Sequence, residues 1–170
     1  EDGAQGFGGE INHKKACSFG HISTTSFFPA KPLGCYGDGG ALFTDDEDYY
    51  NLLCSLRVHG KGSFKYDNVR IGLNSRLDEL QAAVLIPKLN AFREYELTNR
   101  NRYAEMYTRL LKDDVITPFV PENMVSSWAQ YTILLKSTEE RERIQNKLKS
   151  FGIPTMIYYP TPLHKQSVYK

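Results

Sequence analysis

Lys31 stands in a short segment whose composition fixes its backbone. Pro29 and Pro32 lie on either side of it, and each proline ring holds its own φ near one value, so the turn between them is stiff. Pro32 also disfavours the helical conformation at Lys31. A stiff turn can aim a long primary amine at a fixed point, and such an amine, when neutral, attacks carbonyl groups. The alternative is an ordinary solvated lysine in a surface loop, the usual state of this residue type.

The residues on both sides of this turn predict two strands. The run from Ile22 to Phe28 is rich in β-branched and aromatic residues, and residues 41–44 form a second apolar run. A glycine cluster at residues 37–40 lies between them and indicates a further turn. We therefore expect a strand, a rigid turn that carries Lys31, a glycine-rich turn and a second strand.

Helices are predicted after the second strand. Four acidic residues open the segment 45–57, as the helix dipole favours, and leucines follow at helical spacing. A longer helix is expected to open near Ser75, which has capping-box spacing with Asp78. Pro87 is expected to kink or break this helix, before a second helical stretch at residues 89–111.

The last part of the chain predicts a smaller α+β unit. Ser137 and Glu140 again have capping-box spacing and open a charged helix, which Gly152 is expected to end. Strands are expected on both sides of this helix, at residues 131–135 and 155–159.

Composition limits the kinds of partner. The 170 residues are 41% hydrophobic and 24% charged with a net charge of +1, which is typical of a soluble globular protein and offers no excess of positive charge for nucleic acid or an anionic membrane. No apolar run approaches the roughly 20 residues of a membrane span. The three scattered cysteines favour reduced thiols in the cytoplasm. The four histidines show no metal-ligand spacing, so no metal site is expected.

The string from Ser26 to Gly40 carries a resemblance to a known family. Its serine, aromatic pair, Pro-Ala-Lys, Leu-Gly and Tyr-Gly-Asp-Gly-Gly resemble, without a gap, the lysine segment of the DegT/DnrJ/EryC1/StrS sugar aminotransferases. The resemblance implies the α/β fold of the type I enzymes that use pyridoxal phosphate (PLP). It also implies that Lys31 carries PLP and that Ser26 binds the PLP phosphate from within its own chain.

The opening residues resemble a second motif of this family. Glu1 to Gln5 is similar to its Glu-Asp-x-Ala-Gln segment, although Gly3 stands where many members have alanine. By this resemblance Asp2 would pair with the pyridine nitrogen of PLP, and Gln5 would lie beside the ring. A carboxylate there keeps the nitrogen protonated, so that the ring accepts electrons. The alternative places Asp2 and Gln5 in an exposed loop.

A third resemblance lies at the predicted helix opening. Residues 74–83 are similar to the family's Asn-x-Arg-Leu-x-x-Leu-Gln-Ala-Ala motif, which implies that Asn74 reaches the PLP phosphate of a partner subunit and that Arg76 lies near the sugar. We expect Arg76 to hold a C6 carboxylate, because its planar guanidinium offers two parallel donors. The alternative is a surface arginine that pairs with Asp78 or Glu79.

The end of the chain also resembles the family. Its Tyr-Pro-x-Pro-Leu string begins at Tyr159 and is similar to a segment near the active site, so we expect Tyr159 to contact the substrate. The alternative is a packed tyrosine in a proline-rich turn. The whole chain resembles the C-terminal half of a family member. We expect residues 1–95 to complete a large, mostly parallel sheet domain and residues 96–170 to form a small, incomplete α+β domain.

These resemblances imply a function for the complete protein. It would transfer an amino group, with glutamate as donor, to C3 of a UDP-linked 2-acetamido-3-keto uronic acid in the biosynthesis of surface polysaccharides. It would act as a cytoplasmic homodimer with shared active sites. Two alternatives stay open: an aminotransferase for 4-keto sugar nucleotides, and a non-catalytic fragment or regulatory relative.

Overall fold

The computed structural model describes residues 1–169, which form short strands and longer helices. In chain order they are β1 (Glu10–Ile11), β2 (Lys14–Lys15), β3 (Ser23–Ser26), β4 (Gly40–Phe43), α1 (Glu47–Leu56), α2 (Glu79–Ala91), a π-helical turn (Phe92–Glu96), α3 (Leu97–Leu111), β5 (Met124–Val125) and α4 (Thr138–Ser150). Two 3₁₀ turns follow at Leu163–Lys165 and Ser167–Tyr169. In this range, every helix is too short or too polar to traverse a lipid bilayer.

The two strands predicted around Lys31 are confirmed as β3 and β4. They pair antiparallel, with Ser23 opposite Phe43 and Ser26 opposite Gly40. The ladders within residues 1–169 are antiparallel, and the one parallel pairing there is a single bridge between Asp2 and Thr24. These ladders alone do not identify the fold type.

The core lies between the turn that carries Lys31 and helix α2. Phe27, Leu33 and Cys35 from the turn region pack with Leu85 of α2, and all four are buried. Four partly buried residues surround this cluster: Phe7, Ala41, Leu77 and Leu89. Burial of apolar surface stabilises this contact by about 25 cal/mol per Å², so packing anchors the lysine turn to α2.

Of the predicted kink or break at Pro87, the break is wrong, and the kink stays a prediction. Helix α2 continues through Pro87 to Ala91, and the π-helical turn leads into α3 without an interruption. Leu85 and Phe92, buried on either side of the proline, hold the helix against the core. Their burial outweighs the hydrogen bond that the proline lacks.

The predicted capping box at the start of α2 is also wrong. The helix begins at Glu79, and Asp78 occupies the N-cap position without a side-chain capping bond. Ser75 lies before the helix because its N–H donates to the Arg57 carbonyl at 2.9 Å. The segment before α2 is therefore held against the end of α1.

The other two predicted helices are confirmed. Helix α1 begins after Asp46, whose side chain accepts from the Tyr49 N–H at 3.0 Å. Helix α4 has Ser137 as its N-cap, and its end is closed by Gly152 with φ of +73°. The Gly152 and Ile153 N–H groups donate to carbonyls of the last helical turn, the arrangement in which glycine is favoured.

The strands predicted on both sides of α4 are wrong. Within residues 1–169, the first segment makes a single bridge, between Leu134 and Ile116, and residues 155–159 form no strand. A strand requires a neighbour with which its backbone can pair.

The predicted division into residues 1–95 and 96–170 stays a prediction. Its boundary falls inside the π-helical turn, between two continuous helices. β1, from the first part, pairs with β5, from the second. The Asn123 side chain also donates to Asn12 Oδ1 at 2.8 Å. The two parts are thus in contact beyond the helix that joins them.

Candidate active site

The turn that carries Lys31 is closed by backbone hydrogen bonds. The Lys31 N–H donates to the Phe28 carbonyl at 2.9 Å, and the Cys35 N–H donates to the Phe27 carbonyl at 2.8 Å. The Phe27 N–H donates to Gly39 at 2.7 Å and joins this turn to the glycine-rich one. Lys31 itself is half-buried. The stiffness predicted from the prolines is thus reinforced by the hydrogen bonds.

Gly34 is required by the tightness of this turn. A Cβ atom at this position would lie 2.6 Å from the Pro29 carbonyl oxygen and 2.7 Å from that of Phe28. These are backbone atoms, so they cannot move aside without opening the turn. Next to it, the fully buried Cys35 Sγ lies 3.1 Å from the carbonyl oxygens of Phe27 and Gly37. We interpret Cys35 as a packing residue of the turn.

Two residues that the sequence reasoning did not single out hold the turn from the helices. Gln81 Oε1 on α2 accepts from the Tyr36 N–H at 2.8 Å. Arg100 on α3 donates to the Pro32 carbonyl at 3.3 Å. Gln81 belongs to the Leu-Gln-Ala-Ala string of the motif at residues 74–83. The motif marks Gln81 as a residue of interest, but it does not predict the hydrogen bond to Tyr36. No sequence signal marks Arg100, because it is distant from the turn along the chain.

Asp2 lies beside β3, the strand that leads into the lysine turn. The Gly3 N–H donates to the Thr24 carbonyl at 2.7 Å, and the Thr24 N–H donates to the Glu1 carbonyl at 2.9 Å. These bonds run Asp2 parallel to β3, opposite Thr24, two residues before Ser26 ends the strand. Asp2 is exposed, and its Oδ1 accepts from the Ala4 N–H at 3.0 Å.

Glu1 fixes the segment that contains Asp2. Its carboxylate accepts from the N–H groups of Cys17 and Phe19, at 2.8 and 2.9 Å, and from Ser23 Oγ at 3.1 Å. Partial burial alone would raise the pKa of Glu1, but these three hydrogen bonds outweigh it and hold the pKa below the ordinary value. The sequence reasoning assigned no role to Glu1.

Ser26 and Gln5 differ in their hydrogen bonds and in their surroundings. Ser26 Oγ accepts from the Phe28 N–H at 3.2 Å, so its own proton is available to a further acceptor. The Gln5 carbonyl accepts from Ser127 Oγ at 2.7 Å, and its exposed side chain lines a cavity of about 440 Å³ beside Trp128. Lys31 does not line that cavity. Ser26 thus ends the strand that leads into the lysine turn, Asp2 is bridged to the same strand, and Gln5 is tied to the later part of the chain.

Asn74 and Arg76 bond to each other. The Arg76 Nε and Nη2 groups donate to Asn74 Oδ1 at 3.2 and 3.0 Å. Arg76 is exposed, as the alternative of a surface arginine expects, but within residues 1–169 no ion pair joins it to Asp78 or Glu79. The role of Arg76 toward a sugar carboxylate stays a prediction.

Tyr159 is not packed in a turn. It is 73% exposed, and its ring lies edge-on to that of Tyr158 with 5.7 Å between the ring centroids. The packed-tyrosine alternative is therefore wrong, and the contact with substrate stays a prediction.

The residues near the lysine turn fit PLP. That cofactor needs an amine for its aldehyde carbon, an anion for its ring nitrogen and uncharged or cationic donors for its phosphate. Lys31 supplies the amine from a stiff turn, Asp2 supplies an exposed carboxylate beside the strand that precedes this turn, and Ser26 has an uncommitted hydroxyl proton. Asn74 adds a side-chain amide whose nitrogen is not used by Arg76.

Comparison with known proteins gives one consistent result. The model of the DegT/DnrJ/EryC1/StrS aminotransferase family matches residues 1–170. A UDP-2-acetamido-2-deoxy-3-oxo-D-glucuronate aminotransferase of Pseudomonas aeruginosa is 46% identical over 98% of this chain and 45% of that protein. A pleiotropic regulatory protein of Geobacillus stearothermophilus is 42% identical over 99% of this chain and 45% of that protein.

Solved structures show the same relationship. A DegT DnrJ EryC1 StrS aminotransferase from Brucella abortus superposes with a TM-score of 0.94 and 50% identity, over 99% of this chain and 44% of that chain. The predicted fold class is thereby confirmed. The chain spans a little under half the length of the relatives that it matches.

Proposed function

Because the chain belongs to the DegT/DnrJ/EryC1/StrS aminotransferase family, we propose that the complete protein is a PLP-dependent aminotransferase. It transfers an amino group from glutamate to the keto group of a nucleotide-linked sugar. The observation that carries this proposal is the closed turn around Lys31, which packs on the core and directly follows β3, the strand that ends at Ser26 and is bridged by Asp2. A rigid turn holds a reactive amine within the narrow geometry that catalysis needs.

Each residue of the turn region has a proposed task. PLP, when bound, withdraws electrons from the reacting carbon of the substrate and receives its amino group. Lys31 Nζ would hold the cofactor. Once a substrate amine has replaced Lys31 on the cofactor, the freed Nζ would move the proton at the reacting carbon of the substrate. The Asp2 carboxylate holds a proton on the ring nitrogen. Ser26 Oγ–H donates to the phosphate, and Gln5 lies beside the ring.

The proposed substrate is a UDP-linked 2-acetamido-3-keto uronic acid. The name of the Pseudomonas aeruginosa relative supports this choice, as does the open edge of the Arg76 guanidinium. Arg76 uses its Nε and Nη2 groups on Asn74, which leaves the Nη1 edge for a carboxylate, since a guanidinium carries five N–H donors. Tyr159 contacts the sugar in this proposal. The product serves surface polysaccharide biosynthesis.

An assay of matched substrates tests this choice. The complete protein, in excess PLP, is expected to aminate the uronic acid much faster than its neutral hexose analogue. Arg76→Lys should impair the uronic acid reaction by about 2 kcal/mol or more, the usual cost of breaking a buried charge-paired contact, and should spare the half-reaction with glutamate. Equal rates on both sugars in the unmutated enzyme would defeat the carboxylate proposal and favour a 4-keto sugar substrate.

The active protein is proposed to be a cytoplasmic homodimer with shared sites. Its cysteines are unpaired in the described chain, which suits a reducing compartment. Asn74 would serve the phosphate held by the other subunit. In hybrids of a Lys31→Ala subunit with an Asn74→Ala subunit, two-fold symmetry puts both lesions in one site and leaves the other intact. Hybrids without any recovered activity would rule out shared sites.

A regulatory role is the second candidate. The match to the Geobacillus stearothermophilus regulatory protein favours it. A protein that binds PLP at Lys31 but converts neither glutamate nor any keto sugar tested would support this candidate over the enzyme.

A further inference from the structure

The side chains of Asn74 and Arg76 form a unit with one open end. Arg76 donates twice to one atom, Asn74 Oδ1, at 3.2 and 3.0 Å. A guanidinium has only donors, so the amide oxygen of Asn74 must face it. The amide nitrogen, Nδ2, then points away from Arg76 with both of its hydrogens available. Arg76 thus sets which end of the amide is presented.

The backbone of Asn74 is fixed independently of this contact. Asn74 forms an antiparallel bridge with Val58, directly after helix α1. The neighbouring N–H groups of Leu73 and Ser75 donate to the Leu56 and Arg57 carbonyls, at 2.7 and 2.9 Å. Because the main chain is anchored on both sides, the remaining freedom of Asn74 lies in its side-chain rotation. Arg76 removes that freedom.

We propose that Arg76 is a positioning residue for Asn74, which turns the Asn74 amide nitrogen outward to donate to the PLP phosphate. This inference rests on the proposed function. An unpaired asparagine amide can present either its oxygen or its nitrogen, and only the nitrogen attracts an anion. Donors that are already oriented bind more tightly, because little conformational freedom is lost on binding. The positive charge of Arg76 behind the amide adds to the attraction.

Binding of two cofactor forms to the complete apo protein tests this role. PLP and pyridoxal, which lacks the phosphate, are titrated while the absorption of the bound form is followed. Arg76→Gln is expected to raise the Kd of PLP about 10-fold, the effect of losing one hydrogen bond to a charged group. The Kd of pyridoxal should stay within about twofold. Equal losses for both forms, or no loss for either, would overturn the inference.

A double-mutant cycle separates positioning from direct contact. If Arg76 acts through Asn74, Arg76→Gln should have no further effect on the PLP Kd in an Asn74→Ala background. Additive losses would mean that Arg76 meets the phosphate itself, which overturns the inference. Arg57→Gln is the matched control: Arg57 is exposed at the end of α1, against which the segment of Arg76 is held, and its side chain makes no hydrogen bond or ion pair within residues 1–169.

Two further results keep the two proposals distinguishable. Arg76→Lys keeps the positive charge but not the two hydrogen bonds to Asn74. If Arg76→Gln does not fold, Arg76→Lys replaces it in the test and should raise the Kd of PLP by a smaller factor. An unmutated complete protein that binds neither PLP nor pyridoxal would overturn the proposed function. PLP binding that is normal in the unmutated protein and in both Arg76 variants would overturn only the positioning role.

Discussion

Gln81 accepts a hydrogen bond from the Tyr36 N–H at 2.8 Å, and this bond joins helix α2 to the segment that leaves the lysine turn. The two residues lie far apart in sequence, so the contact links the turn to the helix directly. The helix also supplies Leu85 to the core below the turn. Gln81 is therefore placed to hold the turn closed.

Replacement of Gln81 by leucine should lower stability. The change removes the acceptor at similar volume, and the exposed site limits the expected loss in the free energy of unfolding to about 1 kcal/mol. Chemical denaturation measures it. Gln145→Leu, on α4 with only a 3.4 Å contact to Thr155, is the control and should change little. Equal effects of the two substitutions would show that the Tyr36 bond contributes nothing.

Gly34→Ala should open the lysine turn. The added Cβ would meet the Pro29 and Phe28 carbonyl oxygens at 2.6 and 2.7 Å, and such overpacking costs about 1–3 kcal/mol. Thermal unfolding and the rate of PLP uptake both report it. Gly6→Ala is the matched control, since its Cβ would meet nothing nearer than Ala16 Cβ at 3.6 Å. A Gly34→Ala protein as stable as Gly6→Ala would contradict the closed turn.

Glu1 should make stability depend on acidic pH. Its pKa is held below 4.5 in the folded chain, because the hydrogen bonds from Cys17, Phe19 and Ser23 outweigh the effect of partial burial. A carboxyl whose folded pKa is lowered contributes stability above its unfolded pKa and loses that contribution as pH falls through the folded value. Stability should therefore decline as pH falls below about 4.5.

Variants at two glutamates check this dependence. Glu1→Gln should have a lower melting temperature than the unmutated protein near pH 7. The difference between the two melting temperatures should become smaller in acid. Glu142→Gln, an exposed residue of α4, should show no such pH dependence. If the difference in melting temperature between Glu1→Gln and the unmutated protein stays constant down to pH 3, the Glu1 carboxylate is not the cause of that difference.

Local patterns predicted the strands and turns near Lys31 well. Apolar runs marked β3 and β4, and Pro29, Pro32 and the glycines marked the turns between them. The capping residues Asp46 and Ser137 also lie where helices begin. These features depend on neighbours in sequence, so a sequence pattern carries them.

Features that depend on distant contacts were missed. Pro87 does not break its helix, because Leu85 and Phe92 anchor it on both sides. Ser75 does not cap α2, because the helix begins only at Glu79 and the backbone at Ser75 is bonded to Arg57 instead. The contact of Arg76 with Asn74, in place of a nearby carboxylate, follows from the anchored backbone before α2. Helix continuation, capping and side-chain pairing at these positions are decided by packing and hydrogen bonds between residues that lie apart in the sequence.

The central claim is that Lys31 is the residue that holds PLP, and covalent labelling tests it most directly. The complete protein, loaded with PLP, is reduced with borohydride, digested and mapped by mass spectrometry. A pyridoxyl group on the peptide that contains Lys31, and its loss in Lys31→Ala, is the result that the structure predicts. A label on any other lysine in the unmutated protein, with Lys31 unmodified, would contradict the claim.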